Sequence, residues 1–101
     1  MKLETYEEWV NARSGPAKDL GSEYNIIALG GEVGELLNYY KKQMAGRGDF
    51  TKEMRLEVGD ILYYLTRVAA HLDYSLNNAA EDNVDKLTRR DEEWGKDRRL
   101  A

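Results

Sequence analysis

The chain has no cysteine and only one proline, one histidine and one phenylalanine. Without cysteine there is no disulfide, no thiolate metal site and no cysteine nucleophile. With a single proline, long helices run uninterrupted. A single histidine, His71, excludes a multi-histidine metal centre. Val68 stands three residues before it, so the Glu-x-x-His pattern of di-iron bundles is missing as well. No stretch approaches the roughly 20 apolar residues that cross a membrane. The start, MKLETYEEWV, lacks the basic-then-apolar layout of a secretion signal. A cytoplasmic location with no membrane partner is the expectation. Walker lysine loops, Rossmann glycine fingerprints and Gly-x-Ser-x-Gly elbows are absent too.

What is present is helix-forming and acidic. Apolar residues make up 42% of the 101 residues and charged ones 34%, with a net charge of −4. That balance suits a folded domain and argues against a nucleic-acid partner, which calls for a basic face. An acidic chain still accepts a polyphosphate when metal ions sit between the like charges. At this length we expect one domain over 1–101, sharing its core with a copy of itself.

The hydrophobic pattern predicts an all-α fold of four helices, arranged as a bundle because short loops make antiparallel neighbours. Thr5 and Glu8 read as a capping box that opens a short first helix carrying Trp9 and Val10. Arg13-Ser14-Gly15-Pro16 ends it. The second helix spans about Leu20 to Met44, with Leu29, Val33, Leu36 and Tyr40 as its stripe. The third spans about Lys52 to Leu72, capped by Asp49 or Thr51, with Met54, Val58, Ile61, Leu65, Val68 and Leu72 inward. The fourth reaches about Trp94, with Leu76, Ala80, Val84 and Leu87 inward. Residues 95–101 are charged and expected to fray.

Residues 32–39, EVGELLNY, are echoed by residues 57–64, EVGDILYY. Residues three apart share a helix face. Glu32 with Glu35, and Glu57 with Asp60, therefore form two acidic pairs at the shoulder of the core, which antiparallel packing brings together. Like charges 4 Å apart repel by about 4 kcal/mol at an effective dielectric near 20. Hard divalent cations with oxygen ligands relieve that repulsion, Mg²⁺ above all. The plain alternative is two solvated helix faces. Gly30, Gly31, Gly34 and Gly59 flank the acids, either to let backbones approach or to leave room for a ligand.

Glu32-x-x-Glu35 followed by Glu57-x-x-Asp60 resembles the ExxE…ExxD signature of the MazG-type all-α nucleotide pyrophosphohydrolases. Asn83-x-x-Lys86-Leu87-x-Arg89-Arg90 is similar to the family's downstream stretch. The likeness covers about residues 5–90 and fits the single-domain branch. It implies a helical fold assembled as a homodimer or homotetramer, with sites near subunit contacts. It also implies hydrolysis of a nucleoside triphosphate to monophosphate and pyrophosphate. Glu32, Glu35, Glu57 and Asp60 would then be Mg²⁺ ligands, with Mn²⁺ as a substitute and a house-cleaning role in nucleotide pools. Many members carry a further acid where this chain has Gly31, so that acid's role does not transfer.

For the chemistry, bound metal neutralises phosphate oxygens and lowers the pKa of an attacking water. Glu35 is the candidate to take the water's proton, and Glu57 the second catalytic acid. Asn83, Lys86 and Arg90, which share a helix face, and Arg89 beside them are candidates for the polyphosphate, though a helix-surface charge run is often only solvated. Tyr64, one turn after Asp60, and Trp9 with Tyr6 are candidates to stack on the base. Tyr39 is the counterpart of Tyr64 one turn after Glu35. Aromatics at this spacing also fill cores and interfaces. Two other readings stay open: a phosphoribosyl-ATP pyrophosphohydrolase-like enzyme, and a non-catalytic helical oligomerisation or adaptor module.

Overall fold

In the computed structural model the backbone is described for residues 1–100 and side chains for residues 1–95. The described residues are all-helical, in five helices: α1 (Leu3–Ala12), α2 (Pro16–Asp19), α3 (Gly21–Met44), α4 (Thr51–His71) and α5 (Leu76–Leu100). The extra helix is α2, a single turn in the segment expected to be loop. Pro16 at its first position suits a helix start, where a missing N–H is no loss. Gly15 precedes it at φ +140°, a conformation that L side chains avoid.

α1 begins earlier than the proposed capping box allows. Lys2 is its N-cap and Thr5 lies inside the helix, where its hydroxyl cannot cap. The acid that does cap is Glu7, and it serves another helix: its Oε2 accepts the Leu76 N–H at 2.7 Å, at the start of α5. Ser75 Oγ accepts the Asn78 N–H at 3.0 Å and completes that cap.

α3 and α4 form an antiparallel hairpin whose turn is built from two devices. α3 ends in a Schellman motif, with Gly46 at φ +75°. Arg47 N donates to Lys42 O and Gly46 N to Gln43 O, each at 3.1 Å. Asp49 Oδ1 then accepts the Thr51 N–H at 3.0 Å, one residue ahead of the N-cap Phe50, so neither Asp49 nor Thr51 is the cap expected from the sequence. Gln43 Oε1 accepts the Phe50 N–H at 2.8 Å and pins the two helices at this end. Tyr39 packs against Phe50 at 5.7 Å, at the turn end of the hairpin.

The opposite end of the hairpin is held by polar side chains. Asn25, fully buried, donates through Nδ2 to Ala17 O at 2.6 Å and Gly21 O at 2.7 Å, and lies 3.1 Å from His71 Nε2. Arg67, also buried, donates from Nη1 to Asn11 Oδ1 at 2.9 Å. His71 is thus a helix-end partner of Asn25, as its position at the end of α4 implied. Removing an amide that satisfies buried carbonyls costs more than the bonds themselves. Asn25→Ala is therefore expected to lower unfolding free energy by about 2–4 kcal/mol in urea titrations. A loss under about 1 kcal/mol would show that this amide does not hold the hairpin end.

The chain does not close a bundle on itself. α5 packs on α1 and runs on to Leu100, past the end expected near Trp94. Its expected inward stripe is mostly outward: Leu76 is buried, but Val84 is 63% and Leu87 41% exposed. The third-helix stripe is broken too, with Val58, Leu65 and Leu72 exposed and Met54, Ile61 and Val68 half-buried. The radius of gyration is 17.4 Å, against about 13 Å for a compact chain of this length. The accessible surface is 7892 Å², where a compact monomer of this mass has about 5,800 Å². A periodic stripe marks the side to be buried; it does not say which molecule buries it. The expected fraying of residues 95–101 falls at and beyond the edge of the described side chains.

Candidate functional site

Half-way along the hairpin, antiparallel packing sets Glu32 of α3 against Glu57 and Asp60 of α4. One carboxylate oxygen from each of the three lies within 4.8 Å of the others. Glu57 carries the strongest perturbation. Its carboxyl is pushed up from 4.5 to about 7, first by the side chain of Glu32, then by burial, then by the charges of Glu32, Asp60 and Glu35. Its Oε2 is buried with no hydrogen-bond donor. Asp60 is raised as well, by burial and then by Glu32. Three carboxylates without a donor among them fit a hard divalent cation, which supplies the positive charge and takes oxygen ligands.

Glu35 stands apart from that trio. It is exposed and acts on Glu57 only through its charge. With Glu32 it lines an open cleft of about 470 Å³, together with Tyr24, Ala28, Gly31 and Tyr64. Tyr24, Ala28, Glu32 and Glu35 recur at spacings of four, four and three, so one face of α3 makes this wall. A Cβ at Gly30, Gly31, Gly34 or Gly59 would meet nothing within 4 Å. Close backbone approach within the chain is therefore not what these glycines serve; they leave open space beside the acids.

Aromatic residues flank the cleft. Tyr64 meets Tyr24 edge-on at 6.5 Å and Tyr63 at 5.1 Å. Its hydroxyl is pushed up by burial, then by Tyr24. Tyr6 is raised by burial, then by Tyr63 and Asp60, which places this part of α1 beside the acids. Trp9, about half exposed, packs on Tyr6 at 6.1 Å. Tyr24, Tyr63 and Arg13 belong to this region and were not singled out from the sequence. For Tyr24 a signal existed, since it lies eight residues before Glu32 on the face just described. Arg13 carried none, because its place depends on how α1 lies against α4.

The α5 residues are elsewhere. Asn83, Lys86, Arg89 and Arg90 are all exposed. Lys86, Arg89 and Arg90 line a separate shallow cleft with Asp82, Asp85 and Glu93. Within one chain they do not meet the acid cluster.

Residues 21–94 match the family described as MazG nucleotide pyrophosphohydrolase domain. The chain belongs to this family, whose description gives the coarse activity of nucleotide pyrophosphohydrolysis. The Gene 37 protein of Mycobacterium phage L5, whose name states no activity, is 35% identical over 75 residues, covering 69% of this chain and 66% of that protein. The chain thus spans just under two thirds of that relative's length. No solved structure matches. No helix among the described residues is long and apolar enough to cross a membrane.

Proposed function

We propose that the chain hydrolyses nucleoside triphosphates between the α and β phosphorus atoms, using Mg²⁺ held by Glu32, Glu57 and Asp60. The observation that carries this reading is the Glu57 carboxylate, packed against two other acids with a buried oxygen that has no donor. Such a group is costly to keep ionised until a cation compensates it. Mg²⁺, or Mn²⁺ in its place, supplies charge neutralisation of the phosphate oxygens and an acidified water.

The chain's own residues do the rest. Glu35, at the lip of the cleft and outside the trio, accepts the proton of the attacking water. The water oxygen bonds to the α phosphorus, the bond to the bridging oxygen breaks, and pyrophosphate leaves. Tyr64 and Tyr24 border the same cleft and flank the nucleoside.

The active unit is a homodimer or a dimer of dimers. The excess surface and the outward stripe of α5 call for a partner, and a second copy offers the same stripes. In that assembly Lys86, Arg89 and Arg90 of one copy reach the acid cleft of the other, with Asn83 beside them. They supply the phosphate contacts that a single chain lacks.

The test is product analysis after incubating mixed nucleoside triphosphates with the protein and Mg²⁺, alongside thermal melting. Monophosphate and pyrophosphate are the expected products. Millimolar Mg²⁺ is expected to raise the melting temperature, since it binds the folded state. Diphosphate with phosphate would displace the cleavage position. No turnover and no thermal shift would overturn the metal site and leave the adaptor reading.

A further inference from the structure

Behind the aromatic wall of the acid cleft lies a second, smaller cavity of about 170 Å³, lined by Arg13, Pro16, Tyr24, Tyr63 and Tyr64 among others. Tyr24 and Tyr64 line both spaces. A nucleotide anchored by its phosphates at the acids therefore has its nucleoside end at this wall. Ligand pockets for drug-sized molecules run about 300–1,000 Å³. The smaller cavity suits one ring system and not a whole nucleotide. Three tyrosine rings at 5.1 and 6.5 Å from one another offer it flat apolar faces and edges.

Arg13, an exposed residue, lines the mouth of this cavity and is held there in an unusual way. Its guanidinium lies 5.3 Å from the Tyr63 ring and 5.7 Å from the Trp9 ring. Those contacts hold the guanidinium by its charge and its plane. No carboxylate or hydrogen-bond acceptor among the described residues takes its N–H groups. The backbone beneath it is fixed, because Arg13 N donates to Trp9 O at 3.1 Å and Gly15 O accepts from Lys18 and Asp19 at 3.0 Å. A positioned fork of free donors beside aromatic rings is a reader of paired acceptors.

We propose that Arg13 is a specificity-determining residue that reads the nucleobase through an edge with two adjacent acceptors. Guanine presents such an edge in N7 and O6, and cytosine in N3 and O2. Adenine sets an amino donor beside its ring nitrogen, and thymine separates its two carbonyls with an N–H. The inference rests on the reading that a nucleotide is hydrolysed at the acid cleft.

The experiment compares kcat/KM of the wild type, Arg13→Gln and Arg13→Lys on guanine, cytosine, adenine and thymine nucleoside triphosphates with Mg²⁺. The wild type is expected to favour guanine or cytosine over adenine by about tenfold to a hundredfold, as a charged hydrogen-bonding group allows. In Arg13→Gln that ratio falls towards one through a rise in KM, and Arg13→Lys falls between. An unchanged ratio, or an equal loss on all four bases, overturns the proposal; the second outcome would make Arg13 a phosphate contact. Calorimetric binding of GMP, CMP and AMP to metal-free protein separates this from failure of the hydrolase reading. A preference for GMP and CMP over AMP that Arg13→Gln loses supports the base reader even without turnover; binding unchanged by the substitution, or lost equally for AMP, overturns it.

Discussion

Glu57→Gln is expected to reduce nucleotide turnover by more than about a hundredfold, because the groups that merely orient metal ligands already cost 10–100-fold when removed. Its effect on stability has the opposite sign. The native Glu57 carboxyl titrates near 7 rather than 4.5. Between those values the folded chain binds more protons than the unfolded one, so stability falls as pH rises through that window and levels off above it. Metal-free wild type should therefore be more stable near pH 5 than near pH 8. The substituted amide has no charge to lose, so the slope shrinks and the variant melts higher than wild type at about pH 8. Mg²⁺ competes with the proton, so its stabilising effect should be larger at pH 8 than at pH 5. Thermal melts in chelator and in Mg²⁺, at both pH values, check all of this. A variant that melts well below wild type in chelator would make Glu57 a packing residue.

The second large effect concerns α5. Val84→Asp combined with Leu87→Asp is expected to leave helix content intact and to abolish self-association. Two apolar side chains, each worth about 1.5–3 kcal/mol on burial, are replaced by charges, weakening a dimer on the order of a thousandfold. Turnover should fall with it, since Lys86, Arg89 and Arg90 then have no neighbouring acid cleft to serve. Sedimentation and activity measured over one concentration series give both readouts. Full activity in a monomeric variant would remove α5 from the site. A wild type that is monomeric at micromolar concentration would remove the assembly itself.

Much of this was legible in the chain, for identifiable reasons. The boundaries of α3 and α4 fall within a residue or so of those read from periodicity, because glycines at the turns mark them locally. The convergence of Glu32, Glu57 and Asp60 followed from two i, i+3 pairs on helices joined by a short turn. Glu35 joins them by spacing and by the family resemblance, while its carboxylate lies at the cleft, outside the close trio. The polar lock of Asn25 and Arg67 is not legible locally, since their partners His71 and Asn11 stand 46 and 56 residues away in sequence. Nor was the outward turn of α5, because a hydrophobic stripe reads the same whether its partner is the same chain or another.

The hairpin is pinned far from its acids, by Gln43 and Phe50 at one end and by Asn25 with His71 at the other. Two helices fixed at both ends act on anything between them as a caliper with its jaws locked. The proposed cation must then fit an opening that remote contacts have set. Mg²⁺ takes oxygens at about 2.0–2.1 Å, whereas Ca²⁺ wants more of them at about 2.3–2.6 Å. A waist that cannot widen favours the smaller ion, so ionic radius joins charge as a criterion for entry. That selectivity would reside in residues that never touch the metal.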